Sequence, residues 1–481
     1  MNKRPAMNAS RRAFLQRSSA LLAAGIASPL ILNLAAISEA SAATATDYKA
    51  LVCIYLTGGN DQSNTLVPYD TSSYDAYRRL RPTLALSKTG DNLAATLLAP
   101  KFGNKLLDVN GVEHQYALAP ALLPLKSIFD AGSMAILLNV GTLIRPTTKT
   151  QYNNKLVLLP PRLFSHNDQA SFWQSLSPEG ATSGWGGRMG DLLANRYDQA
   201  AFTNINAADN AVFLSGNNTS QYKITTKSPT TPYLGGAVLL DTRDSLYRAD
   251  TCLTALKQLI GEPREHLFEK EHNIITKRAL ISGANLNDAL VNVPNYIPQT
   301  ITRTSTSLDD QLNMVARMIA CADTLTVKRQ VFFVSLGGFD MHDGLPDIQP
   351  LLLKKVADAM ADFHQVTQAM GVANQVTTFT ASDFGRTLVG NNDGSDHGWG
   401  SMHFIMGGAV NGSSYYGTAP VVADNGPDDV GKGRLLPTTS VDQYAATLGS
   451  WMGVSDTELL NILPNLKNFD VNKRNLGFLM V

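Results

Sequence analysis

Ser382-Asp383-Phe384-Gly385-Arg386-Thr387, followed by Gly394-Ser395-Asp396-His397-Gly398, comes directly after the apolar run Val376-Thr377-Thr378-Phe379-Thr380. The run has the length and β-branched content of a buried strand, and the glycine-bordered loops beyond it carry two carboxylates and an imidazole. The same arrangement occurs twice more. Val331-Phe332-Phe333-Val334-Ser335-Leu336 leads into Gly337-Gly338-Phe339-Asp340-Met341-His342-Asp343, and Leu51-Val52-Cys53-Ile54-Tyr55-Leu56 leads into Gly58-Gly59-Asn60-Asp61. Three strands thus each deliver an aspartate at the carboxyl end, and two of them also bring a histidine. A rigid strand end fixes such side chains while the loop bends them toward one point, which is how a divalent metal site forms at the mouth of an α/β sheet.

Between these strands the apolar spacing becomes helical. Leu308, Leu312, Val315, Met318 and Ile319 precede the Val331 strand, and Leu353, Val356, Met360 and Phe363 precede the Val376 strand. Upstream, Pro120 to Phe129 reads as a short amphipathic helix and Met134 to Val140 as a buried parallel strand. Strand, helix, strand at these intervals calls for right-handed crossovers, so the predicted fold is α/β with a mostly parallel central sheet. Residues 204–302, rich in Asn, Thr and Pro, interrupt the alternation and read as a cap or insertion in one domain spanning 43–481. Gly184-Trp185-Gly186-Gly187-Arg188-Met189-Gly190 has the wrong glycine spacing for a dinucleotide fingerprint, and no strand leads into it.

The N-terminus speaks to compartment. Ser10-Arg11-Arg12-Ala13-Phe14-Leu15 is a twin-arginine export signal, preceded by Lys3 and Arg4, followed by an apolar region from Leu21 to Leu34 and a small-residue cleavage site at Ala40-Ser41-Ala42. Ser28-Pro29 breaks the apolar region, and nothing later offers the roughly 18 uninterrupted apolar residues of a membrane span. Residues 1–42 are therefore expected to be a signal peptide read by the twin-arginine translocation machinery, and the mature protein to be periplasmic or secreted. Forty Lys and Arg balance forty Asp and Glu, so no global field favours nucleic acid or an anionic membrane surface. Of three cysteines, Cys53 reads as a core residue, while Cys252 and Cys321 are left as a pair that either bridges or does not.

An ordered set of motifs resembles one family. It comprises Thr57 to Pro68, Phe164-Ser165-His166-Asn167-Asp168-Gln169 with Trp173-Gln174, Gly337 to His342, Asp383 to Thr387 with Asp396-His397-Gly398, and Thr438 to Tyr444. Together these are similar to the exported domain-of-unknown-function 1501 family, which is placed with the alkaline phosphatase and sulfatase superfamily. The resemblance implies a three-layer α/β/α sandwich with a metal site at the strands' carboxyl ends. It supplies no substrate. Carried over residue by residue, it implies Asp61, Asp340, His342, Asp383 and His397 as ligands of a divalent metal (Zn, Mg, Ca or Mn), with Asp396 beside His397. Where the superfamily has an Asp-His pair this chain has Asp383-Phe384. A site lacking that imidazole binds a single ion, recruits His166 or Asp396, or has lost catalysis.

The same superfamily calls for a nucleophile on a loop that opens a helix. Ser165 stands there and reads either as that nucleophile or as a helix N-cap. Thr65 is a weaker alternative. His166 reads as ligand, general acid or outer-sphere donor. Arg386 reads either as a clamp on an anionic ester or as the partner of a site carboxylate. His403, in an apolar run, is expected in the core, and His114, His266, His272 and His364 at the surface. The leading functional reading is an exported metal-dependent hydrolase of phosphate or sulfate esters. The alternative is a periplasmic binding or assembly protein without turnover, supported by the missing histidine after Asp383.

Overall fold

Nine strands form one sheet in the computed structural model, and three central neighbours carry the site. In chain order the strands are β1 (Lys49–Leu56), β2 (Met134–Gly141), β3 (Asn204–Asn206), β4 (Tyr222–Lys223), β5 (Arg329–Leu336), β6 (Val376–Ser382), β7 (Ser401–Met406), β8 (Ser414–Tyr416) and β9 (Thr439–Ser440). Their spatial order is β8-β2-β7-β6-β1-β5-β3-β4, with β9 also pairing β2. Every pairing is parallel except those of β7, which runs antiparallel to both β6 and β2. The expected mostly parallel α/β sheet is therefore present. The structure describes residues 47–101, 106–194, 200–209, 211–224, 226, 233–234, 237–238, 258–297 and 306–480. The export signal and Cys252 lie outside these residues. Cys321 is a buried free thiol that donates to the Ala289 carbonyl at 3.3 Å.

Helices cover both faces. The main ones are α1 (Leu123–Asp130), α2 (His166–Ser175), α3 (Trp185–Leu193), α4 (Leu267–Leu290), α5 (Ser307–Ala320), α6 (Leu345–Ala369) and α7 (Val441–Met452). Alternation along β1 decides which face each side chain meets, because successive Cβ atoms point to opposite sides. Ala50, Val52, Ile54 and Leu56 pack with Phe129 of α1, Leu312 and Val315 of α5, and Val356 and Phe363 of α6. Leu51, Cys53 and Tyr55 pack on the other side with Trp185 and Met189 of α3 and Tyr444 and Leu448 of α7. Two apolar cores thus sandwich the sheet, giving the three layers. The 204–302 stretch contributes β3 and β4 to one sheet edge and then the long helix α4. No helix among the described residues is long and apolar enough to cross a membrane.

Register sets the carboxyl ends of the three central strands level. Leu56 pairs with Ser382 on one side and with Leu336 on the other. The loops that follow therefore leave the sheet side by side, although Leu56 and Leu336 are 280 positions apart in sequence. The first loop needs its glycines. Gly58 has φ +114° and a Cβ there would lie 2.4 Å from the Asp340 amide nitrogen; Gly59 has φ +82° and its Cβ would strike the Phe384 ring.

Candidate metal centre

Three imidazoles and one carboxylate meet above those strand ends. Nε2 of His397 lies 3.1 Å from Nε2 of His166 and 2.8 Å from Nε2 of His342. Asp340 reaches all three, with oxygens 3.3 Å from His166 Nε2, 3.2 Å from His342 Nε2 and 3.3 Å from His397 Nε2. His166 begins α2, Asp340 and His342 follow β5, and His397 ends the short strand Ser395–His397. A helix start, a strand loop and a hairpin thus each supply part of the cluster.

Each ring is turned the same way by what stands behind it. His166 Nδ1 is 2.8 Å from Asp383 Oδ2, and His397 Nδ1 is 2.7 Å from the Phe164 carbonyl. His342 Nδ1 faces Asp396 Oδ1 at 3.6 Å. With acceptors bonded at Nδ1 of His166 and His397, the proton of each neutral ring sits there and the Nε2 lone pair points inward. That is the tautomer a metal ligand needs, with the outer partners metal-bound histidines usually have. A tetrahedral ion with bonds of about 2 Å spaces its ligand atoms about 3.3 Å apart, close to the separations here. The donor set fits a divalent metal.

Phe384 and Phe164 hold the rings in place. The Phe384 ring lies 4.8 Å from the His166 ring and 4.7 Å from that of His397, centre to centre. Phe164 adopts φ +74°, a left-handed conformation that a bulky residue rarely accepts, and it aims its carbonyl at His397 while delivering His166 to the helix start. Arg434 stacks on the Phe164 ring at 4.8 Å and its Nε donates to the His397 carbonyl at 2.9 Å. Neither Phe164 nor Arg434 is singled out by sequence reasoning. The one local signal is the Gly431-Lys432-Gly433 bracket before Arg434.

The site's charges are set by these neighbours. The bond to Asp383 raises the His166 pKa above its ordinary value. Burial lowers that of His397, which favours the neutral ring. For Asp340, burial pushes the pKa up, but the bond from Arg386 and the nearby positive charges outweigh it and keep the carboxyl below the usual range.

Several sequence expectations are revised. Asp61 is fully buried and turned away from the cluster, its oxygens taken by Arg81 Nη2 at 2.6 Å, Ser395 Oγ at 2.6 Å and the Asn64 amide at 3.0 Å. Asp383 stands behind His166 rather than in the ring of donors. Its Oδ2 also accepts the Gly58 amide at 3.2 Å, and its Oδ1 is buried without a hydrogen-bond partner among the described residues. Asp396 stands behind His342. Arg386 takes the ion-pair role: it is fully buried, bonded to Asp340 at 2.7 Å, Gly58 O at 3.2 Å and the Ser395 carbonyl, so it cannot clamp a substrate. Thr65 is fully buried and donates to the Asp61 carbonyl.

Ser165 is the N-cap residue of α2, but its hydroxyl makes no cap bond and donates instead to Asp168 Oδ2 at 2.9 Å. His403 is in the core as expected, its pKa pushed down to about 3 by burial. His114 and His364 are buried rather than exposed. His114 sits between Asp108 and Asp70, and His364 lies on the packed face of α6.

A family model matches residues 287–463, the stretch that carries Asp340, His342, Asp383, Arg386, Asp396 and His397. The match is to DUF1501, a protein family of unknown function. The DUF1501 match stops short of His166, which the fold brings to the cluster from upstream. No curated protein sequence matches the chain. Among solved structures, the chain is similar to Ps i-CgsB at 10% identity and a TM-score of 0.34, with 88% of this chain and 77% of that one covered. It is also similar to the PsFucS1 sulfatase from Pseudoalteromonas sp. at 11% identity and a TM-score of 0.32, with 92% and 75% covered.

Proposed function

We propose that this chain is an exported, metal-dependent hydrolase of anionic esters of the phosphate or sulfate class. The reading is carried by one observation: donor atoms of His166, Asp340 and His397 lie within 4.8 Å of one another, with His342 Nε2 against His397 and Asp340, two of the three Nδ1 atoms bonded outward and the third facing Asp396. The cluster is open. Structural metal sites are closed, whereas the side chains of Asp340 and His342 here are 43% and 46% exposed. Three imidazoles with one carboxylate suit zinc better than magnesium or calcium, which prefer oxygen ligands. Bound there, such an ion would supply Lewis-acid polarisation of the ester.

The chain's own groups have the remaining roles. Asp383 holds the Nδ1 proton of His166 and so keeps Nε2 facing inward. Arg386 keeps Asp340 ionised and oriented. In this reading His166 takes the place of the imidazole that Asp383-Phe384 lacks. Ser165, one residue before His166 with its hydroxyl donated to the buried Asp168, is the nucleophile in this reading.

Ser165→Ala is expected to abolish ester hydrolysis while leaving metal content unchanged. Because its hydroxyl makes no cap bond, the stability loss should stay below the roughly 1 kcal/mol typical of a lost cap. Activity, metal content and melting are to be measured on one preparation. If metal-replete wild type cleaves no phosphate or sulfate ester in a broad panel, the binding or assembly reading replaces this one. Export rests on Ser10 to Leu15 alone. Replacing Arg11 and Arg12 with lysines should leave an uncleaved precursor in the cytoplasm, and normal periplasmic abundance of that variant would remove export from the proposal.

A further inference from the structure

Helix α4 carries apolar side chains that nothing among the described residues covers. Leu267 and Phe268 are 73% and 78% exposed, and Ile274, Ile275 and Ile281 are exposed as well. The second half of the helix is anchored, with Ser282, Leu286 and Leu290 buried. The first half exposes both charged and apolar residues and is tied to the preceding segment through Asn273, which donates to the Leu259 and Glu262 carbonyls at 3.4 Å. A few such turns are marginal in water on their own, and a contiguous exposed apolar patch marks an interface.

The sequence of the exposed stripe says what covers it. Leu267, Glu271, Ile274, Arg278 and Ile281 follow alternating steps of four and three, the spacing of a helix–helix seam. Phe268 and Ile275 flank it. Apart from Leu267, which falls opposite Ser282, the stripe taken with its flanking residues is self-complementary when reversed. Phe268 with Ile281, Glu271 with Arg278, and Ile274 with Ile275 all share one midpoint, between residues 274 and 275. A two-fold axis at that midpoint sets apolar against apolar at the centre and at both ends, and Glu271 against Arg278 twice. Parallel pairing would instead oppose Glu271 to Glu271 and Arg278 to Arg278. A lipid surface fits poorly, because the acid lies in the middle of the apolar stripe.

We propose that α4 is a homodimerisation helix, pairing antiparallel with the same helix of a second copy of this chain. The inference is independent of the hydrolase reading. The test is sedimentation velocity on the mature chain over a concentration series from about 1 to about 100 μM. Wild type should dimerise within that range. Glu271→Arg and Arg278→Glu should each weaken dimerisation at least tenfold, since symmetry makes every single reversal count twice. The double variant Glu271→Arg/Arg278→Glu should restore it, because the two charges merely exchange places. Unchanged melting temperatures will show that the variants are folded. A wild type that stays monomeric throughout would overturn the proposal. So would a dimer indifferent to the single reversals, a double variant no better than the singles, or partition onto anionic vesicles without self-association.

Discussion

His397→Ala is expected to lose bound metal and ester hydrolysis together, while the fold persists. Its Nε2 is the atom to which His166, His342 and Asp340 all approach within 3.3 Å, so its removal opens the cluster at the centre. His166→Ala and Asp340→Asn should have the same sign. Asp383→Asn should be milder, costing roughly 10- to 100-fold in metal affinity, because it acts by holding the His166 ring rather than by giving a donor atom. Metal per chain after dialysis against a weak chelator reads this without any substrate. Retention in wild type should also fall as pH is lowered from about 8 to about 6, because ligation needs a free Nε2 lone pair on each ring. The sign follows from His166. Its raised pKa means a proton competes for the ring at a higher pH than in an unperturbed histidine. An His397→Ala protein that keeps one equivalent of metal with wild-type affinity would end the metal-centre reading.

Much of this architecture is legible in the sequence, for a physical reason. β1, β5 and β6 are buried on both faces, so they are written as runs of apolar and β-branched residues that end in glycine- and aspartate-bearing loops. Those ends mark where the chain can carry chemistry, and Asp340, His342 and His397 are found there. What the sequence does not carry is partnership. Asp61, Asp340 and Asp383 look alike on paper, each an aspartate past a strand. Their fates differ because Arg81 lies close enough to take Asp61, Arg386 leans on Asp340, and His166 reaches Asp383 from 217 residues away. His166 itself arrives from a helix start behind Phe164 in a left-handed conformation, and its motif alone does not say which carboxylate it meets. The missing histidine after Asp383 reads as a defect until Phe384 is seen against the His166 and His397 rings.

Arg81→Met is expected to destabilise the protein by about 3–5 kcal/mol, the usual cost of breaking a buried ion pair by removing one partner. Both side chains of the Arg81–Asp61 pair are fully buried, and the contact is 2.6 Å. Arg81 also ties this point to the strand after β6 through its bonds to the Thr387 and Leu388 carbonyls at 3.0 and 3.3 Å. Without it Asp61 keeps only neutral donors, Ser395 Oγ and the Asn64 amide, for a charge cut off from water. Asp61→Asn should cost a similar amount by orphaning the guanidinium. The double variant should cost less than the sum of the two, since neither charge is then left alone. Urea midpoints measure all three, and Ser395→Ala serves as a milder probe should the others fail to fold. The metal assay separates the two roles open to Asp61. If it is a structural anchor, Asp61→Asn that folds retains its metal, whereas Asp340→Asn does not. Equal loss of metal in the two variants, with Asp61→Asn no less stable than wild type, would return Asp61 to the ligand set and make its pairing with Arg81 a feature of the metal-free chain alone.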